Sequence, residues 1–169
     1  FSIGDYKNKK LTEISSTYCF DCTNSFGAFY NFMSQIIYDW KMDIKVRILS
    51  DHAIRESYPG KIMGLSSYGD EAMAAGTLPE PFVLDSGGIF PVVRETPDWY
   101  NCAELNEETY KNTTPEDLAA WTQHRFETYL LLFLDNIPHE LKKDNLCLGG
   151  GCALNILTNS KIIEQGIYK

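Results

Sequence analysis

Residues 145–155, with the sequence NLCLGGGCALN, decide the fold prediction. The apolar run Leu146–Leu148 predicts a short strand, the three glycines after it predict a turn, and Ala153–Ile163 predicts a helix. Because glycine lacks a Cβ, a ligand can approach this backbone closely, and free N–H groups at a helix start attract anions or the polar groups of a nucleotide. We therefore interpret the segment as a ligand loop, with a tight structural turn as the alternative.

The spacing of this glycine turn excludes two common nucleotide-binding loops. No Gly-Lys-Ser/Thr follows the glycines, as a P-loop requires, and Leu154 stands where a dinucleotide fingerprint needs its third glycine. The amide of Asn155 can face the turn and hydrogen-bond a ligand; the alternative is an amide that caps the helix or faces solvent. The candidate binding residues of this segment are Gly149, Gly150, Gly151 and Asn155.

A second glycine-rich segment, residues 59–69, has the sequence PGKIMGLSSYG. Lys61 can meet a phosphate as a point charge, and Ser66 and Ser67 can donate hydrogen bonds to it. The alternative is a surface loop hinged at its glycines. Both interpretations predict a loop here. The segment misses the last glycine of the G-x-S-x-G elbow, which argues against a serine hydrolase.

Two helices are predicted, one before the segment 59–69 and one between the two glycine-rich segments. Asn24 or Ser25 can cap a helix whose apolar residues recur at three-to-four spacing from Phe26 to Trp40. Thr114, followed by a proline and two acids, is a strong start for a long helix that Pro138 ends.

Two extended regions complete the secondary-structure prediction. Leu11–Phe20 reads as a strand or an extended entry to the first helix. Phe82–Leu84 and Ile89–Val93 flank Asp85–Gly88, and this pattern predicts a β-hairpin.

Length and composition exclude several classes of protein. The chain has 169 residues, 44% of them hydrophobic, which suits one compact domain or one lobe of a larger protein. Its formal net charge of −8 argues against a DNA or RNA partner. No apolar run approaches the roughly 18 residues that cross a bilayer, so we expect a soluble protein with no membrane partner. Since the chain begins at Phe1, we expect it to be a piece of a longer polypeptide.

Five cysteines, an odd number, favour a reducing compartment, so we expect a cytoplasmic protein. Cys19 and Cys22 form a C-x2-C pair, but buried or half-buried thiols explain it better than zinc or redox chemistry. His52, beside Asp51, is a lone acid/base candidate, and no two-histidine metal motif is present. The sequence identifies no catalytic residue.

Three segments in this order resemble motifs of the ATP-dependent O-carbamoyltransferases, the family that carbamoylates nodulation factors, cephamycins and aminoglycosides. Residues 25–30 (SFGAFY), 60–69 (GKIMGLSSYG) and 146–155 (LCLGGGCALN) are similar to the family patterns S-L-G-x-F-Y, G-K-V-M-G-L-A-P-Y-G and L-C-L-A-G-G-V-A-L-N. Gln123 and Glu127 also match a pair that the family carries four residues apart in a helix. The chain departs from these patterns at Ser66, Ser67, Gly149 and Cys152.

The resemblance implies an α/β fold. It implies that residues 1–169 form a single unit, the second lobe of an actin-like ATPase domain (ribonuclease H-like) of the kind shared with sugar kinases and heat-shock chaperones. In that fold a mixed sheet is flanked by helices. The unit would be part of the amino-terminal carbamoyltransferase domain and inactive alone, and its partners would include the rest of the parent polypeptide.

The resemblance also implies a chemistry. In the family, a separate carboxy-terminal domain makes carbamoyladenylate from carbamoyl phosphate and ATP, and the carbamoyl group then passes to a hydroxyl of a small molecule or glycoside. Gly149, Gly150, Gly151 and Asn155 would contact the adenylate, and Lys61, Met63 and Gly64 would line the same cleft. A divalent metal, often iron, would be held in the parent enzyme by two histidines upstream and an aspartate downstream, with no metal ligand in this chain.

Two alternatives to an enzyme fragment stay open. The first is a nucleotide-binding module related to the proteins that form threonylcarbamoyladenosine in tRNA, which also carry a glycine-rich turn followed by Asn. The second is an interaction module that uses the aromatic stripe from Phe26 to Trp40.

Overall fold

The computed structural model describes residues 2–7, 10–16, 25–38, 51–75, 78, 80–85, 92–95, 112–142, 144–166 and 168. The helices are α1 (Phe26–Ile36), α2 (Asp51–Leu65), α3 (Glu71–Ala74), α4 (Pro115–Asp135) and α5 (Ile156–Glu164). The strands are β1 (Ser2–Lys7), β2 (Lys10–Ser16), β3 (Phe82–Asp85) and β4 (Val92–Glu95). Two 3₁₀ turns, Ser66–Tyr68 and Gly151–Leu154, precede α3 and α5.

The two predicted helix starts are confirmed. The Ser25 hydroxyl accepts a hydrogen bond from the Ala28 N–H at 2.9 Å and caps α1. The Thr114 hydroxyl accepts from the Asp117 N–H at 3.1 Å and caps α4, with Pro115 in the first turn. Helix α4 ends at Asp135, ahead of Pro138, as the sequence predicts.

The core lies where α1, α2 and α4 pack together against β3. Edge-to-face aromatic contacts dominate it: the Phe82 ring centroid lies 5.0 Å from that of Phe29 and 5.3 Å from that of Phe26. Phe126 of α4 contacts Phe26 at 5.9 Å and Tyr30 at 5.3 Å. The apolar stripe of α1 is thus core, at least as far as the described residues reach; Trp40 lies outside them.

The predicted mixed-sheet fold is wrong for the described part of the chain. That part is mostly helical, and its strands form two separate antiparallel pairs, β1 with β2 and β3 with β4. Both pairs are local in sequence, with registers from Ser2↔Ser16 to Lys7↔Lys10 and from Phe82↔Glu95 to Asp85↔Val92. No strand among the described residues crosses over to build a parallel or mixed sheet, so the structure does not have the layered α/β architecture of an actin-like lobe.

The strand predicted at Leu146–Leu148 is wrong as well. These residues have no regular secondary structure, and Cys147 and Leu148 are exposed. A three-residue apolar run cannot by itself distinguish a buried strand from an irregular segment, and a strand also needs a neighbour to pair with. Here the core is filled by α1, α2, α4 and β3, and only Leu146 of the run packs against it.

The loop predicted for residues 59–69 is also wrong, because α2 runs through Pro59 and Gly60 to Leu65. Tyr58 and Ile62 explain this: they are four residues apart, share one helix face and are buried in the core. Gly60 and Gly64 are exposed. Burial of the apolar face therefore outweighs the low helix propensity of glycine and proline.

The strand and hairpin predictions are confirmed in part. β2 covers the first part of Leu11–Phe20, while residues 17–20 lie outside the described residues; β1, its partner, was not predicted. β3 pairs with β4 as a hairpin requires, and β4 contains Val92 and Val93 of the predicted second strand Ile89–Val93, whose residues 89–91 lie outside the described residues. The single unit of residues 1–169 stays a prediction.

Candidate functional site

The glycine turn is an exposed bend between an irregular segment and a short 3₁₀ turn. Gly150 has φ 85° and ψ 179°, a backbone conformation that residues with a side chain rarely adopt. Its carbonyl accepts a hydrogen bond from the Ala153 N–H at 3.1 Å, which closes the bend. Gly149, Gly150 and Gly151 are all exposed, and a Cβ built on any of them would meet nothing within 4 Å.

Asn155 connects this turn to α5. Its backbone N–H donates to the Cys152 carbonyl at 3.1 Å, and its side-chain Oδ1 accepts from the Thr158 N–H at 3.1 Å and so caps α5. The residue is only 8% exposed. The capping role that the sequence left open for Asn155 is therefore confirmed, and its side chain points into the protein.

The Asn155 side chain meets Gln123 of α4 in a reciprocal pair of amide hydrogen bonds. Asn155 Nδ2 donates to Gln123 Oε1 at 2.9 Å, and Gln123 Nε2 donates to Asn155 Oδ1 at 3.1 Å. Gln123 Nε2 also lies 3.2 Å from Thr158 Oγ1. These three side chains are buried, so the hydrogen bonds satisfy polar groups that are removed from water.

Glu127 and Tyr30 hold Gln123 from the other side. Gln123 Nε2 donates to Glu127 Oε1 at 2.7 Å, and the Tyr30 hydroxyl donates to Gln123 Oε1 at 2.7 Å. Glu127 is 5% exposed, and its second oxygen accepts from the Lys161 ammonium of α5. Burial, with the nearby Glu127 charge, raises the pKa of Tyr30 well above its usual value, so Tyr30 keeps its proton and stays a donor. We call these six residues the amide network: Tyr30, Gln123, Glu127, Asn155, Thr158 and Lys161.

A second contact joins the first motif to the glycine turn. A Cβ on Gly27 of α1 would lie 3.4 Å from Cys152 Sγ, so the thiol packs directly on the backbone of α1. Burial raises the pKa of Cys152, and the thiol is partly buried against the core. Motifs 25–30 and 146–155, far apart in sequence, are therefore in contact, both here and through the amide network.

The segment 60–69 packs elsewhere. α2 contacts α1 and α4, and Lys61 lies over the stacked rings of Tyr38 and Tyr58, with its Nζ 5.4 and 5.8 Å from the two centroids. Met63 packs against the core, and Gly64 is exposed. The roles of Lys61, Met63 and Gly64 in ligand binding stay predictions.

The end of this segment is fixed against the start of α4. A Cβ on Gly69 would lie 2.0 Å from the Glu116 carbonyl oxygen, closer than any real contact. Next to it, the Asp70 N–H donates to Asp117 Oδ1 at 2.8 Å. Hydrogen bonds from the Thr114 side chain and the Asp70 backbone lower the pKa of Asp117. The glycine at position 69 is thus explained by close backbone packing.

The structure therefore places four of the seven candidate binding residues, Gly149, Gly150, Gly151 and Asn155, in one segment and the other three on α2. Residue-level reasoning alone missed Tyr30, Thr158 and Lys161 as members of the amide network, in which Tyr30 and Thr158 are buried and Lys161 is exposed. One signal was present in the sequence: Gln123 and Glu127 are polar residues one helical turn apart within an otherwise apolar face of α4.

The described residues show no metal centre and no membrane helix. Across these ranges, no group of three or more His, Cys, Asp or Glu side chains is placed to hold a metal ion. Cys147 and Cys152 are free thiols, while Cys19 and Cys22 lie outside the described ranges. In the same part of the chain, no helix has both the length and the apolar character needed to cross a bilayer.

Comparison with known proteins shows that part of the chain is similar to one protein family. Residues 90–169 match the family model described as "Carbamoyltransferase N-terminus". The match covers just under half of the chain, which is therefore similar to the carbamoyltransferases over that part. It includes Gln123, Glu127 and the whole glycine turn, whereas Tyr30 and Lys61 precede it.

The chain is also similar to an uncharacterized protein of Synechocystis sp.. The two are 26% identical over 123 residues, which cover 64% of this chain and 20% of that protein. The chain thus spans about a fifth of the length of the curated relative it matches. No solved structure matches the chain significantly.

Proposed function

We propose that this chain is part of an ATP-dependent O-carbamoyltransferase, in which the turn Gly149–Gly151 holds the adenylate from which a carbamoyl group passes to an acceptor hydroxyl. The family match at residues 90–169 supports carbamoyl transfer in general. The adenylate, the hydroxyl acceptor and carbamoyl phosphate as the carbamoyl source are our proposal, supported by the three motifs and by the geometry of the turn.

The observation that carries the proposal is that the fold does not explain two of the three glycines. Only Gly150 has a positive φ, which requires glycine for conformational reasons. At Gly149 and Gly151 a Cβ would meet nothing within 4 Å. A ligand that approaches the exposed backbone supplies the missing reason, because it would need the space that a side chain would fill.

The chain's contribution to the reaction would be to bind and orient the adenylate. Backbone N–H groups in an exposed turn can donate hydrogen bonds to phosphate oxygens, and they are held in place by the anchored residues after them. In the transfer step, the acceptor oxygen bonds to the carbamoyl carbon, and the bond from that carbon to the AMP phosphate oxygen breaks. AMP leaves with the bonding electrons, and the hydroxyl proton passes to a base.

The metal that the resemblance implies has no role in the step that we propose for the described residues. A metal site needs several converging His, Cys, Asp or Glu side chains, and the described residues contain no such group. The residues described therefore do not fit a metal, and the proposal assigns them to nucleotide binding alone.

A comparison of two glycine variants in the full-length protein tests the proposal. Gly150 and Gly166 both have positive φ and open space around them, but Gly166 lies just after α5 and outside the turn. Gly150→Ala should weaken AMP binding by about tenfold or more, because the strained turn must rearrange. Gly166→Ala also places a side chain at a positive φ, and this variant should bind AMP like the wild type. Titration calorimetry measures both affinities.

Equal affinity in the two variants, or a wild type that binds no AMP, would refute the proposed site. A second measurement separates the proposal from the tRNA-modification alternative. Pyrophosphate release from ATP by the full-length protein should occur and require carbamoyl phosphate; no pyrophosphate release in its presence would favour the alternative, which lacks the adenylate-forming domain in the same chain.

A further inference from the structure

We propose that Tyr30, Gln123 and Glu127 are positioning residues that fix the Asn155 amide in one orientation and thereby hold the glycine turn in place. On this view Asn155 acts on the ligand through the backbone it anchors and not by contact of its own amide. The inference rests on the function proposed above for Gly149–Gly151, and it departs from the direct contact that the family resemblance implies for Asn155.

The orientation of Gln123 is fixed by Glu127, whose carboxylate can only accept a hydrogen bond. Lys161 only donates, and its contact with Glu127 leaves the carboxylate as the acceptor for Gln123. Gln123 Nε2 must therefore face Glu127, where it lies 2.7 Å from Oε1. The Tyr30 hydroxyl donates to the opposite end of the same amide at 2.7 Å. A flipped Gln123 would set an oxygen against the carboxylate.

Gln123 in turn fixes Asn155. With Gln123 Oε1 as acceptor, Asn155 must direct Nδ2 toward it, and that contact measures 2.9 Å. Asn155 Oδ1 then faces Gln123 Nε2 and accepts as well from the backbone N–H and the hydroxyl of Thr158, each at 3.1 Å. Three donors thus converge on one oxygen of a residue that is 8% exposed. This oxygen is engaged by the protein itself.

The anchored Asn155 controls the turn through its main chain. Its N–H donates to the Cys152 carbonyl at 3.1 Å, inside the 3₁₀ turn that follows the glycines. Asn159 Nδ2 of α5 donates to the Ala153 carbonyl at 2.8 Å, and the Ala153 N–H donates to the Gly150 carbonyl at 3.1 Å. An unbroken series of hydrogen bonds therefore connects α4, through Asn155 and α5, to the backbone that would bind the ligand.

The test exchanges the amide and the carboxylate of α4 in the full-length protein, with AMP as the probe. Gln123→Glu places a second carboxylate about 2.7 Å from Glu127 Oε1, where the two like charges repel. We expect AMP affinity to fall by about tenfold or more. The double variant Gln123→Glu/Glu127→Gln removes the charge repulsion but still lacks the Nε2 donor to Asn155 Oδ1, so its AMP affinity should recover only in part and stay below that of Glu127→Gln alone.

Two further variants keep the result clear. Tyr30→Phe removes only the hydroxyl that anchors Gln123 Oε1 and should weaken AMP binding by about threefold even if Gln123→Glu does not fold. Thr122→Ala is the matched control: Thr122 adjoins Gln123, is fully buried, and donates only to the Leu118 carbonyl at 2.7 Å. It should lower stability without changing AMP affinity.

The outcomes distinguish this inference from the proposed function. A wild type that binds no AMP refutes the function and, with it, this inference. If the wild type binds AMP, and Gln123→Glu and Tyr30→Phe bind it with the same affinity as the wild type, the inference is refuted while the proposed function is not. Loss of affinity in Thr122→Ala that matches the loss in Gln123→Glu would also overturn it, because binding would then follow overall stability and not the amide network.

Discussion

Replacing Gly69 by alanine should destabilise the chain strongly, although Gly69 lies in a half-buried bend before α3. The added Cβ would lie 2.0 Å from the Glu116 carbonyl oxygen and 2.6 Å from the Asp117 nitrogen. Real Cβ contacts are longer than 3.0 Å, so the bend and the first turn of α4 would have to separate by at least about 1 Å. That separation would also disrupt the hydrogen bond from the Asp70 N–H to Asp117, now 2.8 Å long. Backbone cannot give way as the end of a flexible side chain does.

We expect Gly69→Ala to lower the free energy of unfolding by about 3 kcal/mol, at the upper end of the usual range for overpacking. Gly60→Ala is the matched control, since a Cβ at Gly60 meets nothing within 4 Å and the residue is exposed within α2. It should raise the unfolding free energy by about 0.5–1 kcal/mol, because alanine favours a helix more than glycine does. Guanidinium denaturation followed by tryptophan fluorescence measures both variants. A Gly69→Ala variant within about 1 kcal/mol of the wild type would refute the close packing of Gly69 on α4.

Two further predictions concern α4 and its partners. Because burial and the Glu127 charge raise the pKa of Tyr30 above its usual 10.0, the stability that depends on this proton is complete below pH 10 and is lost as pH rises further. Between pH 9 and pH 11 the wild type should therefore lose about 1.4 kcal/mol more unfolding free energy than Tyr30→Phe. Equal losses in the two proteins would contradict a buried, protonated Tyr30. Tyr68→Phe, at an 83% exposed position, is the control. Thr114→Ala removes the α4 cap and should lower the free energy of unfolding, measured with denaturant, by about 1 kcal/mol. Thr114→Ser should retain most of that stability. Equal stability of these two variants would argue against the cap.

Helix starts were predictable from sequence because their chemistry is local. Ser25 and Thr114 each place a hydroxyl beside N–H groups only three residues ahead, so a short window contains both partners of the hydrogen bond. The same holds for the pairing of β3 with β4, whose strands are joined by a short connection. Predictions that needed only neighbours in sequence were confirmed.

The errors arose where distant partners decide the conformation. Residues 59–69 contain glycine, proline and serine, a composition typical of loops, but burial of Tyr58 and Ile62 against other helices makes the first part helical. Leu146–Leu148 is apolar enough for a strand, but no neighbouring strand is there to pair with it in the described structure. Neither outcome can be read from the segment alone, because the deciding atoms belong to other elements.

The candidate site contains features that local sequence predicts and features that depend on residues distant in sequence. The glycine turn stands out in the sequence, and the structure confirms that Gly150 needs to be glycine for its backbone conformation. The orientation of Asn155 could not be predicted, because it depends on Gln123, 32 residues away, and on Tyr30, which lies 93 residues from Gln123. A buried amide can be placed only when its donors and acceptors are known.

Among the glycines that the structure describes, the fold explains some and leaves others, including Gly149 and Gly151, without a structural reason. Gly69 is required by close packing on α4, and Gly150 and Gly166 by their positive φ. Gly149 and Gly151 satisfy neither condition, yet they flank Gly150 at the exposed end of a segment anchored by buried hydrogen bonds. A flexible surface loop would not need such an anchor, and a purely structural turn would need only one glycine. A backbone without side chains on its outer side leaves room for close contact with a ligand, and this supports the binding role that we propose for the turn.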